Sequence, residues 1–351
     1  MNPITTRLLS QQLIARQYAS ATELVSHMGA MQAQDYRMMR WAVIMRTCRP
    51  SGKAFAKAYN DGGIIRLHLL RGTWQLVPGD DYWWMLALCA PKAEATIRGW
   101  MKANRVDIGE HELHATRNLL VKTAAEKKNA TKSHFAEALA QEGMAMDAHR
   151  LSYHIRLAEV DGILCSGDLS AMHATYTLAE DKVARRAMPE RDEMLAMLAR
   201  RYFRSHAPAT IEDYAWWSGL TTADCRKGMH LIAGELQTEK YGDYEFYMHD
   251  SCRTRKSGTS STHLLAPFDE YLVGYKSREL VLAPHHARKA YTNNGIFFPV
   301  IASGGIICGN WKPWEPTPTP TFFAQEADAD ALEKQWETFC KTIKKQMPRQ
   351  A

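Results

Sequence analysis

Residues 210–232, TIEDYAWWSGLTTADCRKGMHLI, decide the fold. Thr210 has the side chain of an N-cap and opens a helix over Ile211 to Ser218. Gly219-Leu220-Thr221 is a tight turn, and Thr222 to Ile232 reads as the next helix. A short helix, a Gly-containing turn and a second helix form a helix-turn-helix signal. A helix over Arg191 to Phe203 precedes it. Two strand-like runs follow, Leu236 to Glu239 and Tyr244 to Met248, while Arg253 to Thr262 reads as a loop. Helices followed by a hairpin are the order of a winged helix.

Working outward, the same order recurs twice upstream. Near the N-terminus, helical patterns cover Thr6 to Arg16, Ala21 to Met28 and Asp35 to Arg46, the last with Met38, Trp41, Ala42 and Met45 on one face. After the break at Pro50-Ser51-Gly52, strands are expected at 64–70 and at Thr73 to Val77, with Arg71-Gly72 as the turn. Pro78-Gly79-Asp80 then introduces a long helix over Tyr82 to Met101. In the middle, helices are expected over Glu112 to Lys127, Thr131 to Gln141 and Asp147 to Val160, then wing strands at 162–165 and His173 to Leu178. Downstream, Ser303-Gly304-Gly305 is the turn of a hairpin over Phe297 to Ile301 and Ile306 to Gly309, and Ala331 to Lys345 reads as a closing amphipathic helix. The expected architecture is mainly α with small β-hairpins (α+β). The expected units are 1–105, 106–188 and 189–262, with 263–351 packed on the rest.

Composition narrows the function classes. The 351 residues are 46% apolar, with 44 Lys and Arg against 38 Asp and Glu, a moderately basic balance that permits nucleic-acid binding without demanding it. The seven cysteines (Cys48, Cys89, Cys165, Cys225, Cys252, Cys308, Cys340) stand singly. That spacing argues against a zinc site or disulfide framework and fits a reducing cytosol. His111 and His114, and the adjacent His285-His286, lack a ligand set of metal-site spacing, so no metal and no cofactor are expected. No apolar run reaches the length of a membrane span, and no membrane association is expected.

Gln32-Ala33-Gln34 is the candidate motif for chemistry. An amide neither gains nor loses a proton near neutral pH, so the pair can act only by donating and accepting hydrogen bonds. Read locally, the two glutamines decorate or cap the start of the helix at Asp35. Read with the whole chain they gain a second meaning. The segments MGAMQAQDYRMMRWAVIMR (28–46), LRGTWQLVP (70–78), PATIEDYAWWSGLT (208–221), LLAPFDEYLVGYKSR (264–278) and FFPVIASGGIICGNWK (297–312) occur in this order. Together the chain resembles the AlkZ-like (YcaQ-like) winged-helix DNA glycosylases, from about Gln12 to Trp311.

That resemblance implies three tandem winged helices forming a C-shaped channel for double-stranded DNA. It also implies excision of N7-alkylated purines, including crosslinked bases, in base excision repair. The family's catalytic Gln-x-Gln falls on Gln32 and Gln34, and the Gln-x-Asp of its other branch is not matched, because Asp35 lies one position too far on. The implied protein is a monofunctional, monomeric, bacterial-type cytoplasmic enzyme working at the nucleoid.

Alkylation at N7 makes guanine a cation and a good leaving group, so no general acid is required. Two amides can orient a water at C1′ and turn carbonyl oxygens toward the developing sugar cation. Asp269, beside Glu270 and after Pro267-Phe268, is the alternative carboxylate, with capping or an arginine contact as its ordinary role. Arg37, Arg40, Arg71, Lys276 and Arg278 are candidate phosphate contacts, and each could equally be a solvated charge or an ion-pair partner. The Ser303-Gly304-Gly305 tip could enter a groove or be a plain surface turn. Trp83-Trp84 and Trp216-Trp217 read as core packing. The rivals from other classes are a non-catalytic winged-helix regulator, which would need a dimerisation element, and a nuclease, which would need a metal-binding carboxylate cluster.

Overall fold

In the computed structural model, which describes residues 1–346, three stretches share one connectivity. The chain opens with α1 (Pro3–Ser10). The first unit then runs α2 (Ala21–Met28), β1 (Met31–Gln32), α3 (Met39–Ile44), α4 (Gly52–Asn60), β2 (Ile64–His68) and β3 (Trp74–Pro78). Its antiparallel sheet has the order β1-β3-β2. The 22-residue α5 (Tyr82–Ala103) leads to the second unit: α6 (Glu110–Lys127), β4 (Ala130–Thr131), α7 (Lys132–Gln141), α8 (Ala148–Val160), β5 (Leu164–Ser166) and β6 (Thr175–Leu178). Its sheet has the matching order β4-β6-β5.

After the short α9 (Ala179–Lys182), the third unit runs α10 (Arg191–Ser205), α11 (Ile211–Ser218), α12 (Thr222–Leu231), β7 (Leu236–Tyr241) and β8 (Tyr244–His249). Here a single residue, Ala209, bridges Tyr247 of β8 and stands where the other units have a first strand. Each unit is thus helix, short strand, helix, helix, hairpin, the winged-helix connectivity. The first strand in each is too short to show an alternation in sequence, so only the structure reveals it.

Local chemistry sets the ends. Ser20 with Glu23, and Thr210 with Asp213, form reciprocal capping boxes at α2 and α11. Gly219 ends α11 in the left-handed conformation, φ 71°, where a side chain would be strained. The helix expected over 6–16 instead ends at Ser10, because Gln12 and Ala15 take positive φ. The helix expected from Asp35 begins only at Met39, because the Asp35 carboxylate accepts from the N–H groups of Arg37 and Met38 and holds a turn there.

The C-terminal part adds β9 (Thr262–Leu265), α13 (Glu270–Val273), α14 (Ala287–Ala290), β10 (Val300–Ser303), β11 (Ile306–Asn310), β12 (Thr321–Phe322) and α15 (Ala329–Thr342). Its sheet, ordered β12-β11-β10-β9, shares one core with the first unit. Leu24, Met28 and Trp41 pack in the same cluster as Leu264, Val300, Trp336 and Phe339. The Trp41 indole donates to the Leu264 carbonyl at 2.6 Å and meets the Phe339 ring edge-on. The second unit has its own smaller core around Leu120, Phe135, Leu151 and Ile155.

Truncating Phe339 to Ala should therefore cost about 3–5 kcal/mol in urea unfolding. It should also raise hydrogen exchange in α3 together with α15; a rise confined to α15 would contradict a shared core. Two buried histidines give a second expectation. Burial pushes His27 down to about 4 and His263 down to about 3, so both are neutral in the folded protein at pH 7. The unfolded chain binds those protons first, so stability rises with pH through this window. It should be steady from these groups above about pH 6.5 and fall as the pH drops toward 4, by about 1.4 kcal/mol per pH unit per histidine. Urea unfolding at pH 7, 6 and 5 checks the sign.

Candidate active site

Gln32 sits on β1 directly across from Gln75 of β3, and the Ala33 N–H extends the pairing to the Trp74 carbonyl at 2.8 Å. The motif is therefore a strand end followed by a bend at Gln34, not a helix start. The strand ends at Gln32, Ala33 is buried in the core, and Gln34 lies in the bend that follows. The buried Arg66 guanidinium donates to the Ala33 carbonyl at 3.1 Å and pins the segment's centre.

The Gln32 side-chain oxygen accepts from Gln75 Nε2 at 2.8 Å, Arg71 Nη2 at 3.2 Å and Thr73 Oγ1 at 3.3 Å. A guanidinium can only donate, so the atom facing it is the amide oxygen, and the flip of this glutamine is fixed by chemistry. Among the described residues Gln32 Nε2 has no hydrogen-bond partner. Gln32 consequently presents a donor, and its carbonyl is turned into the protein rather than toward a sugar cation. Gln34 Oε1 is shielded from solvent and has no protein partner among the described residues. Gln32 thus offers a donor and Gln34 an acceptor.

Behind β1 lies Glu270, the first residue of α13. Its Oε1 accepts from the Gln32 backbone N–H at 2.5 Å, and its Oε2 lies 3.2 Å from His206 Nε2. Burial lowers the His206 pKa, with Glu270 opposing that shift, and Ser205 Oγ stands 2.8 Å from the other ring nitrogen. Of the Asp269-Glu270 pair the sequence singles out Asp269, but that carboxylate is committed elsewhere. It takes both terminal nitrogens of the buried Arg46 at 2.6 and 2.9 Å and caps α13 through the Tyr271 N–H. Its place is that of an anchor.

Arg71 links two of the repeated units. Its Nη1 donates to the Trp216 carbonyl at 3.0 Å and the Trp217 carbonyl at 2.5 Å, while Nη2 holds Gln32. Arg71 itself has φ 57°, and a Cβ on Gly219 would come within 3.2 Å of the Arg71 backbone, so a glycine is needed there. Burial lowers the Arg71 pKa and Glu270 opposes the shift; a guanidinium keeps its charge even so. Trp83, Trp84 and Trp217 are buried, but the Trp216 ring is 40% exposed beside this cluster.

The other expected DNA contacts divide sharply. Arg40 donates to the Ser170 carbonyl at 2.6 Å, and Arg37 lies over the Trp314 ring at 4.2 Å. Arg278 donates to the Leu272 and Lys276 carbonyls and lies over Trp216, Tyr291 and Phe297. Lys276 is exposed. The Ser303-Gly304-Gly305 tip does not stand free: Gly304 N–H donates to the Ser261 carbonyl, Tyr271 OH donates to the Gly305 carbonyl, and a Cβ on Gly305 would meet Ile4 at 2.4 Å. Packing against α1 explains the difference from a groove-entering turn.

Gln75, Thr73, Glu270 and His206 are the members of this cluster that residue-by-residue reasoning did not place at Gln32. The adjacent turn at Arg71-Gly72 was the available signal, since a hairpin brings Thr73 and Gln75 onto one face.

Known proteins resemble the chain along nearly its whole length. The family model for AlkZ-like DNA glycosylases matches residues 25–339. An interstrand DNA cross-link repair glycosylase of Streptomyces sahachiroi is 25% identical over 353 residues, covering 94% of this chain and 92% of the relative. The solved structure of Streptomyces sahachiroi DNA glycosylase AlkZ superposes with a TM-score of 0.79 at 20% identity, covering 98% of this chain and 96% of that one. With its family model spanning nearly the whole sequence, the chain belongs to the AlkZ-like DNA glycosylases.

Proposed function

We propose that the protein hydrolyses the N-glycosidic bond of N7-alkylguanine in duplex DNA, with Gln32 and Gln34 placing the attacking water. The observation that carries this reading is the fixed amide of Gln32: three donors hold its oxygen, and among the described residues neither its Nε2 nor Gln34 Oε1, two residues on, has a protein partner. Nε2 donates to the water and the Gln34 carbonyl accepts from it. The water oxygen bonds to C1′ as the C1′–N9 bond breaks, and the bonding pair neutralises the cationic base. A proton leaves to solvent, since neither amide can keep it.

A pair without an acid suits only a base already primed to leave. Because no proton has to be delivered to the base, a bulky or crosslinked adduct need not be swallowed by a tight pocket. The printed name of the Streptomyces relative supports including interstrand crosslinks among the substrates. No lysine contacts the Gln32 amide among the described residues, which favours a monofunctional enzyme with no Schiff-base step. We place the duplex in a C-shaped channel formed by the three winged helices around one monomer, with Lys276 contacting a phosphate directly. Arg37, Arg40, Arg71 and Arg278 shape the channel wall through their internal bonds.

In single-turnover assays on an N7-methylguanine duplex, Gln32→Ala and Gln34→Ala should each slow base release by about 100-fold or more, the usual cost of one oriented polar group. Wild-type rates from the double variant would remove the proposed roles, and duplex binding by the wild type without any release would favour a regulator. Lys276→Ala should weaken binding to undamaged and damaged duplex alike and reduce the slope of log Kd against log salt by about 1. An unchanged slope would take Lys276 out of the interface.

A further inference from the structure

We propose that the buried Glu270 carboxylate is a positioning residue that holds the strand carrying Gln32 and supplies the negative charge favouring a cationic sugar beside it; this rests on the base-excision reading above. The backbone N–H of Gln32 can only donate, so Glu270 Oε1, 2.5 Å away, is the acceptor. Glu270 is 1% exposed, and an acid so deep is expected only where it is paired, here with the Gln32 N–H and His206 Nε2. Gly274 is built around it. A Cβ there would lie 2.7 Å from the Glu270 carbonyl, 2.8 Å from His206 Cδ2 and 3.0 Å from Glu270 Oε2, so only glycine lets carboxylate and imidazole meet.

The charges around this group decide its effect. Arg46 is matched by Asp269, and Arg7 lies over the Tyr275 ring while donating to the Pro208 carbonyl. Burial holds the His206 pKa below the usual imidazole value, which favours its neutral form. Arg71 is the cation hydrogen-bonded to the Gln32 amide itself, with Arg66 on the Ala33 carbonyl and Arg278 beside Arg71 adding to the positive charge. An unopposed guanidinium there would disfavour positive charge at C1′, and two neutral amides cannot offset it. Glu270, attracted to Arg71 and one hydrogen bond from Gln32, does. The side chain touches no substrate and works through the field and through β1.

The test compares two abasic analogues in the same duplex: a pyrrolidine, whose ring nitrogen is cationic, and a neutral tetrahydrofuran. Wild-type protein should bind the pyrrolidine at least about 10-fold more tightly, equivalent to about 1.4 kcal/mol. Glu270→Gln keeps an oxygen for the Gln32 N–H but removes the charge. It should erase that preference, leave tetrahydrofuran affinity within about 2-fold and slow base release by about 10-fold or more. Arg71→Gln, which removes the opposing cation, should move the preference the other way, and it gives an independent reading if Glu270→Gln proves unstable. A wild-type preference retained in Glu270→Gln overturns the role. So does wild-type protein that releases the base yet shows no preference, and that result leaves the excision reading intact. Absent base release, with both analogues bound no better than undamaged duplex, overturns the excision reading as well.

Discussion

The Gln32 backbone N–H and the Glu270 carboxylate meet across 238 positions of sequence, in a region closed to solvent. A buried carboxylate is expensive unless its oxygens are satisfied, so this contact constrains much around it. It requires β1 to lie against α13, which in turn requires the C-terminal sheet to pack on the first winged helix. The shared core around Trp41, Leu264 and Phe339 is the apolar counterpart of that polar joint. Arg71 supplies the second joint, tying the first wing to the end of α11 while it holds the Gln32 oxygen. Three parts of the chain therefore converge on one amide.

The repeated connectivity makes the asymmetry informative. The first short strand is Met31–Gln32 in the first unit, Ala130–Thr131 in the second, and the single bridging residue Ala209 in the third. The same position carries an amide only once. Its cross-strand neighbour Gln75 and the turn residues Arg71 and Thr73 supply the matching donors. The amide thus sits at the edge strand of one sheet, in a unit whose helices and hairpin keep the same order as the other two.

Much of this was legible in the sequence. Capped helices, glycine turns and hairpin signals yield the three winged units, because each is decided by neighbours a few residues apart. The family was legible through five segments in order. The conformation of Gln32-Ala33-Gln34 was not: it is too short for periodicity, and only pairing with Trp74 and Gln75 makes its start a strand end. Glu270 and Asp269 look equivalent in sequence, and the difference between them is which long-range partner each reaches, Gln32 or Arg46. The internal partners of the arginines were hidden for the same reason. Their charge suggests phosphate, whereas carbonyls and rings from distant segments occupy Arg40, Arg71 and Arg278. The Ser303-Gly304-Gly305 tip was read correctly as a turn, but what it faces, α1, is fixed by tertiary packing.

The most direct test of the account is a structure of the protein on a duplex carrying the pyrrolidine abasic analogue. The account expects the sugar ring to sit against the Gln32-Gln34 face, with Gln32 Nε2 and the Gln34 amide sharing one water on its C1′ side and the Gln32 oxygen still held by Arg71 and Gln75. A sugar lodged elsewhere, or a Gln32 carbonyl swung out to meet it, would contradict the account.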